Sequence, residues 1–149
     1  PIGKFQVDEN VPSLIPFTKS IKLIIPGTVV VERGGKKATT SVHDVQPNES
    51  ILDIGLPSID ALGGLIKKAK LIVWNGPMGW YEGGYTKGTE EMLKLLASAK
   101  ATTIVAGGDT AVLVAKKKLS DKFTFVSTGG GATLDFLAKG TLPGIKALK

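Results

Sequence analysis

The chain has 149 residues, of which 42% are hydrophobic and 21% are charged, a balance that fits one ordinary globular domain with a sizeable core. It contains no cysteine and a single histidine, His43, which excludes disulfides, thiolate metal sites and histidine-rich metal clusters. No apolar run approaches the roughly 20 residues of a membrane span and no signal-peptide pattern is present, so the sequence predicts a cytoplasmic protein.

The formal net charge of +6 raises the question of nucleic-acid binding. The lysines occur in small groups, at residues 36–37, 67–70 and 116–118, and the last two groups fall at the ends of predicted helices. Cations at those ends complement the partial negative charge of the helix carboxyl terminus. The distribution therefore favours solvated helix ends over a nucleic-acid surface.

The first 25 residues predict irregular chain followed by a strand. The chain opens on Pro1 without an initiator methionine, which indicates a piece of a longer protein. Pro12 and Pro16 limit any helix over residues 7–19, so this stretch is predicted to be irregular. The apolar run at residues 21–25 predicts a strand.

A β-hairpin region is predicted within residues 21–45. Strands over residues 28–32 and 38–45 flank a glycine-containing turn at residues 33–36. His43 lies on the second strand, where the alternation of side chains predicts a solvent-facing histidine rather than a catalytic one.

Helices and strands alternate from here onward. Residues 51–55 predict a short strand or extended segment, and Ser58 is the predicted N-cap of a helix that continues past two central glycines to residue 69. Residues 71–74 predict a buried strand, residues 75–79 form a loop rich in turn formers, and a helix follows from residue 86 or 87 to 98.

Two units, each a strand followed by glycines and a helix, occupy residues 101–119 and 123–138. Each begins with a short apolar strand, breaks at glycines, at residues 107–108 or 129–131, and restarts with helical spacing. Such strands are predicted to be buried on both faces. A helix that begins just past a strand presents unpaired backbone N–H groups, which bind phosphate. Two such turns side by side indicate a polyphosphate ligand.

The alternation from Ser58 onward predicts a parallel sheet, because each helix must carry the chain back across one face. Residues 142–145 are predicted to form a closing turn. Ligands of parallel sheets lie outside the carboxyl ends of the strands. The loops at residues 75–82, 107–110 and 128–132 are therefore predicted to converge on one cleft.

Within these loops, Asp109 has two interpretations from the residues alone. It could be the N-cap of its helix, a carboxylate directed at a magnesium ion on a bound nucleotide, or both through different oxygens. The three successive glycines favour a nest of backbone N–H groups for an anion over simple helix capping. Glu82 is either an acceptor for a ribose or an ordinary surface glutamate. Neither turn matches G-x-G-x-x-G, and no Walker G-x-x-x-x-G-K-[ST] is present, which counts against dinucleotide-binding and P-loop sites.

Together these segments resemble phosphoglycerate kinase, in order and spacing and over the entire chain. The most specific segments lie after residue 71: WNGPMG at 74–79 with Glu82, KGTEEM at 87–92, TTIVAGGDT at 102–110, STGGGATLDFL at 127–137 and LPGI at 142–145. Weaker matches are IGK at 2–4, IIPGTVVVE at 24–32 and LDIG at 52–55.

The resemblance implies a two-domain cytoplasmic enzyme of glycolysis, more than twice as long as this chain and monomeric at full length. Its N-terminal domain would bind 3-phosphoglycerate, and its C-terminal domain magnesium with ATP or ADP. Residues 1–149 would be the later part of the C-terminal domain, an α/β, three-layer, parallel-sheet, Rossmann-like nucleotide domain. The implied activity is reversible transfer of the 1-phosphate of 1,3-bisphosphoglycerate to ADP, and the isolated fragment is expected to be inactive because the two substrates could not be aligned in it.

The resemblance also implies roles for individual residues. The three glycines of the turn at residues 128–132 would stabilise the transferred phosphoryl group: Gly129, Gly130 and Gly131. The nucleotide would be bound by Asn75, Pro77, Glu82, Gly107, Gly108, Asp109 and Thr110, with Glu82 at the ribose and Asp109 also serving the metal.

Two positions depart from the family pattern. Ile51 stands where the family usually has glycine, and Trp80 stands where it usually has valine. Both positions line the adenine side of the pocket in the family, so base preference and affinity are expected to differ here. These departures support an alternative interpretation, a non-catalytic nucleotide-binding or regulatory module of the same fold. A basic nucleic-acid binder is a third, with steeply salt-dependent DNA affinity.

Overall fold

The computed structural model describes residues 22–148. Within this range the chain divides into two compact units, the first comprising residues 22–61 and 79–88 and the second comprising residues 62–78 and 89–148. The predicted irregular stretch at residues 7–19 lies outside the described residues.

The first unit contains a three-stranded antiparallel sheet. Its strands are β1 (Thr28–Arg33), β2 (Lys36–Ser41) and β3 (Asp53–Ile54), and their order in the sheet is β2-β1-β3. Gly34 and Gly35 join β1 to β2 with φ angles of +56° and +70°, which only glycine adopts readily and which a two-residue hairpin turn requires. The predicted hairpin is confirmed.

Valines on alternating positions form the core of this sheet. Val29 and Val31 of β1 point to the same face because strand side chains alternate, and both are buried. Val45 is buried with them, and Ala38 and Val42 pack against this cluster. The β-branched residues of β1 therefore supply both the strand propensity and the buried face.

Two sequence predictions for this unit are wrong. Residues 22–25 of the predicted strand at 21–25 have no regular structure, and Ile21 lies outside the described residues. The second hairpin strand ends at Ser41, and Val42–Asp44 form a 3-10 turn that begins where Ser41 Oγ accepts a hydrogen bond from the His43 N–H at 3.2 Å. A local hydroxyl bond thus competes successfully with the strand pattern. His43 is exposed, as predicted.

The remaining elements alternate between helix and strand. They are α1 (Leu56–Lys68), β4 (Leu71–Asn75), α2 (Lys87–Ala97), β5 (Thr102–Ala106), α3 (Gly108–Lys116), β6 (Phe125–Ser127), α4 (Gly131–Lys139) and α5 (Pro143–Ala147). In the second unit β4, β5 and β6 form a parallel sheet in that order. The predicted α/β fold with a Rossmann-like parallel sheet is confirmed.

The parallel sheet is buried unevenly. Residues in register on adjacent parallel strands point to the same face, and on one face Trp74, Thr103 and Val105 are all buried. On the other face Leu71 is 58% exposed and Phe125 is 61% exposed. The prediction that these strands are buried on both faces is therefore wrong for that second face.

Two helices of the second unit, α2 and α3, bury apolar sides, whereas α4 and α5 have no buried residue. Met92, Leu93 and Leu96 of α2 are buried, and so are Leu113 and Val114 of α3. The helical spacing of these residues accounts for this, because positions three and four apart share one face. Across residues 22–148, none of the helices combines the length and the apolar character that a membrane span demands.

Two predicted helix ends differ from the structure. Helix α1 begins at Leu56, so Ser58 is not its N-cap; the Ser58 hydroxyl instead accepts from the Thr28 N–H at 2.8 Å and donates to the Thr28 carbonyl at 3.1 Å. The predicted turn at residues 142–145 is the start of α5, where Pro143 occupies the first helical turn.

Candidate functional site

The three parallel strands end together at one edge of the sheet. Asn75, Ala106 and Ser127, the last residues of β4, β5 and β6, are in register. The Gly76 N–H donates to the Ala106 carbonyl at 3.2 Å, and the Gly107 N–H donates to the Ser127 carbonyl at 3.1 Å. The turns that follow the strands are therefore fixed to this edge by the sheet itself.

Gly107 makes the sharp turn from β5 into α3. Its φ of +105° and ψ of 136° lie in a region that side chains rarely allow, and it is the N-cap residue of α3. A Cβ at Gly107 would lie 3.5 Å from both the Gly76 nitrogen and Thr110 Oγ1. The backbone can therefore turn here only because residue 107 is glycine.

The two glycine turns meet beside the side chain of Asn75. A Cβ at Gly130 would lie 3.5 Å from the Gly107 Cα and 3.6 Å from Asn75 Oδ1. Bare backbone from two consecutive strand–helix connections, with one amide side chain between them, thus lines this part of the sheet edge. These are three of the residues that the sequence places in one site.

Backbone N–H groups are concentrated at this edge. Helices α3 and α4 begin at Gly108 and Gly131, and neither N-cap residue supplies a side-chain hydrogen bond. The Thr133 N–H donates to the Gly130 carbonyl at 3.1 Å, whereas the first two N–H groups of each helix have no acceptor within it, and the partial positive charge of each helix N-terminus lies here. The Gly129 N–H is different, since it donates to Ser127 Oγ at 3.1 Å.

Asp109 is exposed on the first turn of α3. Gly107 is the N-cap, so the interpretation of Asp109 as the cap is wrong. Among residues 22–148 no hydrogen bond or ion pair engages its carboxylate. The carboxylate is therefore available to a cation at the sheet edge.

Thr110 has a buried hydroxyl without a partner. The residue is 1% exposed, and its Oγ1 has no hydrogen bond to any part of residues 22–148. Buried hydroxyls without partners are rare in native proteins. This one lies directly beneath the Gly107 turn, where a bound group or water would satisfy it.

Ser127 and Thr133 support the glycine turn and were missed by the sequence reasoning. Their hydroxyl oxygens lie 3.3 Å apart, and Thr133 Oγ1 also donates to the Gly129 carbonyl. The signal was present in the sequence, where two hydroxyl residues six positions apart bracket the three glycines. These bonds fix the Gly129 peptide and leave the amides of Gly130 and Gly131 for a ligand.

The remaining predicted residues lie on the connection between β4 and α2. Pro77 is exposed in the second unit, next to Met78, whose N–H donates to Thr89 Oγ1 at 2.9 Å. Glu82 belongs to the first unit and is exposed on a turn closed by the bond from the Gly84 N–H to the Tyr81 carbonyl at 3.0 Å. Its membership of the same site stays a prediction.

The two departures from the family pattern also lie in the first unit. Ile51 is 37% exposed and Trp80 is 57% exposed. The Trp80 ring stacks on that of Tyr85, with centroids 6.2 Å apart and planes inclined by 10°. Both large side chains are therefore available for contact with a ligand or with another part of the protein.

Comparison with known proteins gives one consistent family. The family model described as phosphoglycerate kinase matches residues 5–140. Phosphoglycerate kinase of Borreliella afzelii is 40% identical over 134 residues, which cover 87% of this chain and 34% of the relative. That of Pelotomaculum thermopropionicum is 41% identical over 136 residues, covering 88% of this chain and 35% of the relative.

Solved structures agree. Phosphoglycerate kinase from Coxiella burnetii matches with a TM-score of 0.74 at 38% identity, over 89% of this chain and 36% of that one. Phosphoglycerate kinase from Pyrococcus horikoshii matches with a TM-score of 0.71 at 31% identity, over 83% of this chain and 31% of that one. The chain thus spans about a third of the length of the curated relatives it matches.

Proposed function

This chain belongs to the phosphoglycerate kinase family, and we propose that it forms the later part of the C-terminal nucleotide-binding domain of a two-domain phosphoglycerate kinase. The proposed reaction is reversible transfer of the 1-phosphate of 1,3-bisphosphoglycerate to Mg-ADP, which gives 3-phosphoglycerate and ATP in cytoplasmic glycolysis. The observation that supports this most is the meeting of Gly107 and Gly130 beside Asn75 at the carboxyl edge of the parallel sheet.

In this proposal the second glycine turn supports the chemical step. An oxygen of the ADP β-phosphate attacks the phosphorus of the acyl phosphate, a new P–O bond forms, and the bond to the 1-carboxylate breaks with its electron pair leaving on the carboxylate. No proton has to move. Negative charge on the transferred group is balanced by the N–H groups of Gly130 and Gly131, whose positions are fixed before the reaction by Thr133 and Ser127. Gly129 contributes by shaping the turn.

The first glycine turn would hold the nucleotide. The N–H groups of Gly108 and Asp109 face the phosphates at the N-terminus of α3, while Gly107 leaves room for their close approach. Thr110 would give its unpartnered hydroxyl to the same group. Asn75 and Pro77 would line the nucleotide on the β4 side.

Asp109 is the residue proposed to serve magnesium. Residues 22–148 contain no group of three or more acidic or histidine side chains that could hold a metal. A magnesium ion that arrives with ADP needs only one or two carboxylates in addition to phosphate oxygens, so the single exposed Asp109 fits this donor set. The ion would supply charge neutralisation between the phosphates.

Other parts of the proposed enzyme complete the site. Glu82 would accept hydrogen bonds from the ribose. Phosphoglycerate would be held by an N-terminal domain that has no counterpart in these 149 residues, and the full-length protein is proposed to act as a monomer. Closure of the two domains would align donor and acceptor, so the chain alone would not turn over.

Calorimetric titration of Mg-ADP into the chain, paired with a coupled kinase assay, tests the proposal. We expect saturable binding, and no turnover until the substrate domain is present. Absence of binding by the folded chain would contradict it. Exposed Ile51 and Trp80 favour a second candidate, a non-catalytic nucleotide-binding module, which predicts binding without turnover even in a polypeptide that carries both domains.

A further inference from the structure

A buried carboxylate in the first unit has no place in the mechanism above. Asp53 of β3 is 3% exposed. Its Oδ1 accepts from the Ile54 N–H at 2.9 Å, and its Oδ2 accepts from the Gly88 N–H, also at 2.9 Å. Burying a charged carboxylate is costly unless it is well hydrogen-bonded, and these two amide N–H groups offset part of that cost.

Both ends of the segment formed by residues 79–88 approach this carboxylate. A Cβ at Gly79 or at Gly88 would lie 2.3 Å from Asp53 Oδ1, which is closer than real side-chain contacts allow. The neighbouring Leu52 carbonyl accepts from the Trp80 N–H at 2.8 Å. Residues 52–53 therefore bind the segment at its beginning and at its end. Gly88, at the end of the segment, lies 35 positions after Asp53 in the chain.

The middle of the segment is ordered by a ring contact of its own and by contacts with β1 and β2, among them a hydrogen bond from Lys37 Nζ to the Gly84 carbonyl. Tyr85 stacks with Trp80, donates its hydroxyl hydrogen to Glu32 Oε2 at 2.8 Å, and lies 4.3 Å below the ammonium of Lys37. Glu82 is carried between Trp80 and Tyr85. The position of Glu82 therefore depends on these contacts and on the attachments at the two ends of the segment.

A cavity of about 170 Å³ reaches Asp53, with Lys37, Tyr85 and Lys87 also in its lining. Burial raises the pKa of the Asp53 carboxyl, while the Gly88 and Ile54 amides and the charge of Lys37 act in the opposite direction. The two amides and the nearby cation are therefore what stabilises the charged form at this buried position.

We propose that Asp53 is a positioning residue, whose carboxylate holds the Gly88 end of residues 79–88 while the adjacent Leu52 carbonyl holds the Trp80 end, and that Asp53 thereby sets where Glu82 and Trp80 meet the nucleotide. The effect on the nucleotide rests on the proposed function above. The effect on the segment does not, because it follows from contacts inside the first unit. The two parts are therefore tested by separate measurements.

Amide hydrogen exchange measured by NMR tests the attachment. In Asp53→Ala the Gly88 amide should exchange about tenfold faster, the factor that corresponds to one hydrogen bond to a charged acceptor. Asp53→Asn keeps an acceptor oxygen and should show a smaller increase. The Gly76 amide, which donates within the parallel sheet, serves as the internal reference, and Asp60→Asn, a change at an exposed aspartate, is the matched control variant.

Tryptophan fluorescence and nucleotide affinity test what the loss of this attachment does to Trp80 and to nucleotide binding. Acrylamide quenching of Trp80, assigned by comparison with Trp80→Phe, should increase in Asp53→Ala, and the affinity for Mg-ADP should fall about tenfold. Unchanged Gly88 exchange or unchanged quenching would overturn the attachment. If amide exchange accelerates equally at Gly88 and Gly76, the protein has lost stability as a whole, and the attachment by Asp53 is overturned as well. If Asp53→Ala does not fold, Asp53→Asn decides the question.

Unchanged Mg-ADP affinity after release of the segment would overturn the role in nucleotide binding. If the parent chain binds no Mg-ADP, the proposed function fails instead. In that case exchange and quenching still decide whether Asp53 positions the segment.

Discussion

Gly107 and Gly130 face each other at the edge of the parallel sheet, with the position of a Cβ on Gly130 only 3.5 Å from the Gly107 Cα. The first of these glycines follows β5 and the second follows β6. Because their strands are adjacent and in register, the two turns form one surface of bare backbone rather than two separate anion sites.

Replacement of Gly130 by alanine should strongly weaken the binding of Mg-ATP, whose terminal phosphate is the transferred group, while the fold is kept. The added methyl group meets its neighbours at ordinary contact distances, and the φ of −78° suits alanine. The free energy of unfolding should therefore change by no more than about 1 kcal/mol, the typical range for an N-cap change. Calorimetric titration and chemical denaturation measure the two effects. Gly144→Ala, at a helical glycine with no neighbours within 4 Å, is the control and should bind as the parent does.

Replacement of Gly107 by alanine should instead destabilise the protein. The φ of +105° is strained for any side chain, and such strain costs about 1–3 kcal/mol. Urea denaturation should show this loss. The matched change Gly64→Ala, inside α1 and with nothing within 4 Å, should stabilise by about 0.5–1 kcal/mol because alanine is the better helix former. Equal effects of the two substitutions would contradict the backbone geometry described for Gly107.

The sequence predicts the arrangement of these turns because the signals are local. A short apolar strand, a glycine break and a restart with helical spacing are visible in residues 101–119 without knowledge of any partner. The hairpin is equally local, since Gly34 and Gly35 must adopt positive φ in a tight two-residue turn. In both cases the residues that decide the structure are neighbours in the chain.

The sequence predictions are wrong where the structure of a residue depends on a partner that is distant in the chain. Ser58 resembles an N-cap in sequence, but its hydroxyl bonds Thr28, 30 positions earlier. Asp53 gives no signal of its own in an apolar segment, because its partner Gly88 is 35 positions later. Exposure of Leu71 and Phe125 likewise depends on what covers that face of the sheet, which the pattern of a single strand does not encode.

Asp109→Asn should reduce the contribution of magnesium to nucleotide binding. The amide keeps the size of the side chain but loses the charge that a hard cation prefers. Because the carboxylate has no partner within residues 22–148, the free energy of unfolding should stay within about 0.5 kcal/mol of the parent value. Titration of ADP with and without magnesium measures the effect. A ratio of the two affinities equal to that of the parent would argue against Asp109 as the metal residue.

Glu49→Gln should change how stability depends on acid. Arg33 donates to both carboxylate oxygens of Glu49, and these bonds, followed by that of the Gln46 N–H, lower the pKa of Glu49 from its usual value. A carboxyl with a depressed folded-state pKa stabilises the protein above its unfolded-state pKa, and this contribution is lost as the pH falls through the folded-state value.

Denaturation at pH 7 and at pH 3 measures this contribution. The parent should be more stable than Glu49→Gln at pH 7, and the difference should shrink at pH 3. Glu91→Gln, at the exposed pair with Lys94, is the control and should have a small effect at both pH values. A difference for Glu49→Gln that does not depend on pH would contradict the role of the Arg33 bond.

Titration of Mg-ATP, which carries the transferred phosphate as well as the nucleotide, into the ¹⁵N-labelled chain, followed by amide chemical shifts, tests the central claim most directly. The account predicts saturable shifts that are largest at the N–H groups of Gly108, Asp109, Gly130 and Gly131, where the two turns meet. Saturable binding whose shifts lie elsewhere, with these four amides unmoved in a folded chain, would contradict it.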